Sequence, residues 1–275
     1  MSGSDDVRLI FLGGLAEVGK NMLLLESGED IIVIDVGLAF PEEDQPGIDL
    51  VLPDISYLKQ NRDRLRAIFI THGHEDHLGA IPWLLPDLLP VPIYATRLTI
   101  GLIKVKLDEA RLTSQADLRE FDPDQDEALR AGVFAVEPFR VTHSIPDAVG
   151  FAVTTPAGLL VFTGDFKFDP TPIDGLQTDF ARLERFRERG VRLLVSDCVH
   201  VETPGETPSE RMVGETYDEV FSRAEGRIFV ATFASLISRI QQVIDTAARH
   251  GRLVAPIGRS VVNNVRIARE LGYLN

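Results

Sequence analysis

The chain has almost no cysteine. Cys198 is the only one in 275 residues, so no intrachain disulfide can brace the fold. That suits a reducing compartment, with the cytoplasm as the default. Cys198 itself reads as a small buried hydrophobe rather than a nucleophile. Long apolar runs are also missing. One uncharged stretch, Ala148 to Gly164, is broken by Thr154, Thr155, Pro156 and Gly158. It reads as two strands and a turn, not a membrane span. The start, Met1 to Asp6, has no basic residue and no apolar stretch, so no signal peptide is expected there. Basic residues are outnumbered, 28 against 42 acidic, for a net charge of −14. Taken as a whole-molecule field, that opposes a nucleic-acid partner, although net charge is not local charge. No internal repeat or low-complexity tract is present.

What is present is ordinary for a globular protein: 44% hydrophobic and 25% charged residues, enough for one large domain or two smaller ones. Short runs rich in Val, Ile, Leu and Phe each end beside a polar residue. Ile31–Ile34 leads to Asp35, Ala67–Ile70 to Thr71 and His72, and Phe139–Thr142 to His143. Leu159–Gly164 leads to Asp165, and Val191–Ser196 to Asp197. Buried strands explain the runs, and their ends would gather these polar groups on one edge of a sheet sandwich. Helices are expected over Leu78–Leu89, despite Pro82 and Pro86, over Leu98–Glu109 and over Phe180–Arg189. The acidic stretch Ala116–Leu129 reads as a solvated loop. It lacks the glycine and ligand spacing of a calcium loop.

Texture changes at Val201–Pro208, a turn-rich linker. Beyond it the pattern alternates: strand Arg227–Ala231, helix Ser235–His250, strand Arg252–Pro256, helix Ser260–Leu271. That is the signature of parallel βαβ units. Two strands do not make a doubly covered sheet, so the expected second domain, over 208–275, reads as incomplete beside a first domain over 1–200.

The chemistry concentrates in Thr71-His72-Gly73-His74-Glu75-Asp76-His77. Three histidines and two acids in seven residues are hard to explain as a mere polar loop. On a helix, His72 and His74 would point to nearly opposite faces. The helical HExxH spacing is absent. A loop lets both imidazoles face one ion, while the adjacent Asp76 and His77 turn to a second. Imidazole plus carboxylate suits zinc, with manganese as the alternative. His143 and Asp165, each at a strand end, join the candidate set. Two zinc ions would bring four positive charges into a cleft of an otherwise acidic protein. His200 and His250 are expected in surface or packing roles.

Taken together, His72, His74, Asp76 and His77 form the HxHxDH signature, and the chain resembles the metallo-β-lactamase superfamily. It is closest to the β-CASP nucleases of the ribonuclease J type. The supporting segments are Gly13–Asn21, Ile34–Gly37, Gly47–Leu50, Thr71–Gly79, Arg140–Asp147, Thr163–Asp169, Ala231–Ser235 and Gly258–Asn264. The resemblance implies an α/β fold: a lactamase αββα sandwich followed by the start of a Rossmann-like parallel β-CASP domain. It implies zinc held by His72, His74 and His143, a second zinc held by Asp76 and His77, and Asp165 bridging both. Asp35 would support the site by hydrogen bonds. Thr232, Ser235, Arg259 and Ser260 would lie beside the RNA channel.

The resemblance further implies hydrolysis of single-stranded RNA, internally and from a 5′-monophosphate end, by a cytoplasmic homodimer. The chain departs from the family at Ala16, where a glycine is usual, and at Cys198-Val199-His200, where Ser-Thr-Asn is usual. It also lacks the region that supplies the family's last zinc-binding histidine. On that ground the chain alone is expected to be weak or inactive. Two rival readings are a lactamase-fold hydrolase of a thioester or small ester, and a non-catalytic binding module.

Overall fold

A computed structural model describes residues 6–275; the N-terminal stretch read from Met1 to Asp6 lies, apart from Asp6, outside them. The first sheet contains β1 (Arg8–Gly13), β2 (Met22–Ser27), β3 (Asp30–Ile34), β4 (Leu65–Phe69), β5 (Pro92–Ala95) and β6 (Asp117–Glu120), in that order. Strands β1 to β3 are antiparallel, and β3 to β6 are parallel. The second sheet contains β7 (Leu129–Ala131), β8 (Phe134–Arg140), β9 (Val149–Thr155), β10 (Gly158–Phe162) and β11 (Val191–Val195), ordered β11-β10-β9-β8-β7.

Helices cover the outer faces. On the first sheet the crossovers carry α1 (Ser56–Gln60), the single turn α2 (Glu75–Leu78), α3 (Ile81–Leu88) and α4 (Arg97–Glu109). On the second, α5 (Phe180–Arg189) joins β10 to its parallel neighbour β11. Asp179 caps α5 by accepting a bond from the Arg182 amide at 2.9 Å, and Gly190, at φ 85°, ends it.

Two-residue periodicity builds the layers. Leu24, Ile31, Val33 and Ile68 face α1, α3 and α4 in one core. Their neighbours Leu23, Leu25, Ile32, Ile34, Ala67 and Phe69 face the other sheet. There they meet Phe134, Val136, Phe151, Val153 and Leu160. Phe186 of α5 covers the far side with Phe139. This is the expected αββα sandwich.

The C-terminal part departs from its expectation. Its two expected helices are present as α7 (Ile237–Arg249) and α8 (Arg259–Glu270), but Arg227–Ala231 and Arg252–Pro256 form no strand. A strand needs a neighbour for its backbone groups, and neither segment has one; Leu253 is fully exposed. A further helix, α6 (Arg211–Arg223), was not expected. Val213, Gly214, Thr216 and Tyr217 are weak helix formers, so packing on α7 stabilises what propensity does not. Helix α8 docks on α4, α7 packs against α8, and both share the core of the first sheet through Ile237, Ile240 and Ala268. Gly101 permits this: a side chain there would meet Leu271 Cδ1 at 2.7 Å.

Two smaller expectations also change. The Ala116–Leu129 stretch supplies edge strand β6 before it becomes irregular, because Asp117–Glu120 pairs with Pro92–Ala95. Cys198 is exposed, not buried, because it follows edge strand β11 in an open turn. Among the described residues, no helix is long and apolar enough to cross a membrane.

The interface between the sheets is the test of the sandwich. Phe151 packs edge-on against Phe69 and Phe121, with ring centroids 5.7 and 6.1 Å apart. Phe151→Ala is expected to cost about 3–5 kcal/mol in urea denaturation. A loss under about 1 kcal/mol would show that this interface is not tightly packed.

Candidate metal centre

Strands β3, β4, β8 and β10 end on one edge, and each is followed by a polar residue of the site. Asp35 follows β3 in a left-handed conformation, φ 63°. Its carboxylate is buried beneath the loop after β4. There it accepts bonds from the Thr71 amide at 2.8 Å and from Thr71 Oγ1 at 2.9 and 3.1 Å. His77 Nδ1 lies 2.8 Å from Asp35 Oδ2. Thr71 Oγ1 is also 3.0 Å from His72 Nδ1. Since the hydroxyl donates to Asp35, it accepts from His72. That puts the proton of each ring on Nδ1 and turns both Nε2 atoms towards the cleft.

The seven-residue run is not one element. His72 to His74 are irregular, with a bend at Gly73 and His74 extended at φ −76°, ψ 154°, and the single turn α2 begins at Glu75. Loop 36–38 clamps that turn: Val36 donates to the His77 carbonyl at 2.7 Å and Leu38 to the Glu75 carbonyl at 3.1 Å. Gly37 lies so close that any side chain would collide with the Asp76 carbonyl.

One group consists of His72, His74 and His143. His74 Nδ1 lies 3.0 Å from His72 Nε2 and 3.1 Å from His143 Nε2. Tetrahedral zinc with bonds of about 2.0–2.1 Å holds its ligand nitrogens about 3.3 Å apart, so the spacing fits an ion. Burial, reinforced by the other imidazoles, holds the His72 pKa well below its ordinary value. Burial pushes His74 down to about 3 and also lowers His143. Three neutral imidazoles converging on one point are a metal-ready set. His74 Nε2 is buried without a partner.

The second group, His72, His77 and Asp165, shares His72 with the first and adds a carboxylate. His77 Nε2 is 3.4 Å from both Asp76 Oδ2 and Asp165 Oδ1. Burial opposes a charge on His77, but Asp35, Asp165 and Asp76 outweigh it and raise its pKa well above the ordinary value. A field that favours a proton there also favours a cation. Asp165 faces both groups: Oδ1 approaches His77, and Oδ2 lies 3.7 Å from His143 Nε2. Its pKa is lowered by His77, His143 and His74 against the opposing effect of burial. The donor set, imidazole and carboxylate, fits zinc or manganese.

All seven residues expected at the metal site thus come together. The four expected beside RNA do not join them: no hydrogen bond among the described residues links Thr232, Ser235, Arg259 or Ser260 to the cluster. Thr232 lies in the irregular segment and Ser235 in the turn before α7, and Arg259 and Ser260 open α8. Asn264 ties the two places together by donating to the Ala234 carbonyl at 3.0 Å. His200 is exposed in a turn, and His250 lies 3.1 Å from Asp218 Oδ1.

Sequence reasoning missed three contributors. Thr71 carried a readable signal, a hydroxyl directly before the ligand run. The Asn21 amide lies 3.2 Å from Asp76 Oδ2 and 3.1 Å from His77 Nε2, and its only signal was its place in the Gly13–Asn21 segment. Lys106, on α4, holds the Glu75 carboxylate at 2.6 and 2.7 Å across 31 positions, with no local signal at all.

The Thr71 hydroxyl can be tested directly. Thr71→Val is expected to weaken zinc binding about 10–100-fold in chelator competition, and Thr71→Ser to keep most of it. Equal affinity in all three proteins would remove the hydroxyl from this role.

The comparisons with known proteins agree with this geometry. The chain matches the metallo-beta-lactamase superfamily over residues 15–196 and the ribonuclease J beta-CASP domain over residues 225–275. It is 49% identical over 276 residues to a ribonuclease J of Thermus thermophilus, covering 98% of this chain and 48% of that protein. It is 43% identical to a ribonuclease J of Mycobacterium tuberculosis, covering 98% and 48%. It is 42% identical to one of Helicobacter pylori, covering 100% and 40%. The chain therefore spans about half the length of the curated relatives it matches. A crystal structure of an Enterococcus faecalis protein of unknown function shares the fold, with TM-score 0.65 and 16% identity over 98% of this chain and 68% of that one. With a match covering most of its length and the histidine–aspartate cluster in place, the chain belongs to the metallo-beta-lactamase superfamily, and its final segment is of the ribonuclease J beta-CASP type.

Proposed function

We propose that this chain is the catalytic portion of a zinc-dependent ribonuclease of the ribonuclease J type, hydrolysing RNA phosphodiesters internally and from 5′-monophosphorylated ends. The observation that carries the reading is Asp165. Its Oδ1 faces His77 and its Oδ2 faces His143, in a chain whose curated relatives are ribonucleases J. In this reading His72, His74 and His143 would hold one ion, Asp76 and His77 the other, and Asp165 would serve both.

Zinc, when bound, supplies Lewis acidity and activates water for attack at neutral pH. The residues of the chain do the rest. Asp35 and Thr71 hold the rings of His72 and His77 by their Nδ1 atoms, which aims both Nε2 atoms into the cleft. Asn21 donates to Asp76 Oδ2 and so fixes that carboxylate. Lys106 holds Glu75, and with it the turn carrying Asp76 and His77. Thr232, Ser235, Arg259 and Ser260 line the route of the RNA. The lactamase part spans 1–200 and the opening of the β-CASP part 208–275, within a cytoplasmic homodimer. The two groups would not hold an ion equally: the first offers three imidazoles, and the second sets the carboxylates of Asp76 and Asp165 beside His77. Manganese is the alternative metal.

Two experiments test this. Asp76→Ala in the full-length protein is expected to abolish cleavage of 5′-monophosphorylated single-stranded RNA; unchanged turnover would refute the assignment. A thioester offered in parallel tests the rival hydrolase reading, and turnover of the thioester with none on RNA would favour that rival. Metal analysis during stepwise chelation of this chain is expected to show one ion leaving well before the other. Joint release of both would contradict the unequal sites.

A further inference from the structure

The ligands come from two places. His72 to His77 belong to the first sheet, where Asp35, Thr71 and Asn21 brace them. His143 and Asp165 belong to loops of the second sheet, and no hydrogen bond among the described residues joins them to Asp35, Thr71 or Asn21. Their own support lies elsewhere. Lys167 donates its backbone N–H to the Thr142 carbonyl at 2.8 Å, forming an isolated bridge between the two loops. The bridge stands one residue before His143 and two after Asp165, so it sets the separation of these ligands.

The Lys167 side chain then leaves the sandwich. Its ammonium lies 3.1 Å from Glu210 Oε1 and 3.8 Å from Asp169 Oδ2. Glu210 Oε2 accepts from Arg239 Nη2, on the first turn of α7, at 2.8 Å. The Glu210 amide donates to Asp169 Oδ2 at 3.2 Å, and its carbonyl accepts from Gln242 Nε2 at 2.7 Å. Every polar group of Glu210 is thus engaged, just before α6 begins. The side chains are enclosed: Lys167 is 11% exposed, Glu210 16% and Asp169 1%. Glu210 and Asp169 also line one small cavity together with Thr142 and His143.

Two cations and two carboxylates balance in this cluster. Desolvation offsets most of their attraction, so such a group adds little net stability. What it does well is hold one geometry. The same four residues join the ligand loops of the second sheet to helices α6 and α7, and no apolar packing would fix the Lys167 backbone so sharply.

We propose that Glu210 is a positioning residue for the metal centre, acting through Lys167 and the Thr142–Lys167 bridge to place His143 and Asp165 against the imidazoles of the first sheet. This rests on the metal reading above. It means that the C-terminal helices help to build the site as well as to flank it, because Arg239 and Gln242 of α7 hold Glu210 in turn.

The test is zinc affinity of this chain by chelator competition, read beside the unfolding midpoint of the metal-free protein. Glu210→Gln is expected to weaken zinc binding about tenfold. Lys167→Met should do the same, and the double variant should lose little more than either alone. Lys167→Arg, which keeps charge and donors, should retain the affinity. Cobalt(II) in place of zinc should give an altered visible spectrum in Glu210→Gln and an unaltered one in Lys167→Arg. If the wild-type chain binds zinc and both neutral variants bind it equally well, with only a lower unfolding midpoint, the cluster is a simple tether and the inference is overturned. If the wild-type chain takes up no zinc, the metal reading fails and the inference falls with it.

Discussion

The buried contact between Asp35 and Thr71 is the interaction on which the site depends. One carboxylate, taken out of water beneath a strand end, accepts three bonds from Thr71 and one from His77. An unpaired carboxylate there would be costly, so the loop after β4 can close over Asp35 only with these donors in place. Asp35 adopts a left-handed backbone conformation to reach them. The consequence travels outwards. The Thr71 hydroxyl orients His72, the carboxylate orients His77, and both rings present the nitrogen that can bind metal. The polar loop is thereby fixed with its imidazole nitrogens aimed into the cleft.

The sandwich supplies what that loop cannot. Four strands from two sheets end together, so a ligand run on one sheet is met by His143 and Asp165 from the other. The sheets are joined at this edge by the Val149 amide, which donates to the Thr71 carbonyl at 3.0 Å. The apolar interface behind it, centred on Phe69 and Phe151, keeps both sheets at a fixed spacing. Packing far from the cleft therefore sets the distance between imidazole and carboxylate within it.

Charge is arranged by the same means. A chain of net charge −14 is a poor partner for RNA as a whole. Inside the cleft the order is different. Burial strips protons from His72, His74 and His143, while Asp35, Asp76 and Asp165 create a local demand for positive charge beside His77. Cations bound there would reverse the local sign without altering the acidic exterior.

Much of this was legible in the linear chain. Apolar runs ending at Asp35, His72, His143 and Asp165 marked strands whose ends carry ligands, because strand burial and strand length are local properties. Helices such as Phe180–Arg189 followed from period, and the αββα order of layers from the family resemblance. Other features were not legible, because each depends on a partner distant in the chain. Arg227–Ala231 and Arg252–Pro256 have strand-like composition but no neighbour to pair with, so they stay irregular. Helix α6 has weak propensity and forms by packing on α7. Cys198 has a buried residue's chemistry and an exposed position, since the edge after β11 is open. Lys106 on Glu75, Asn21 beside Asp76, and Glu210 behind Lys167 join residues 31, 55 and 43 positions apart. The sequence by itself determined which groups could bind metal and which strands would carry them. The tertiary structure alone decided how those groups are aimed, because hydrogen bonds and ion pairs that orient a ligand are made across space, between residues whose spacing in the chain carries no period.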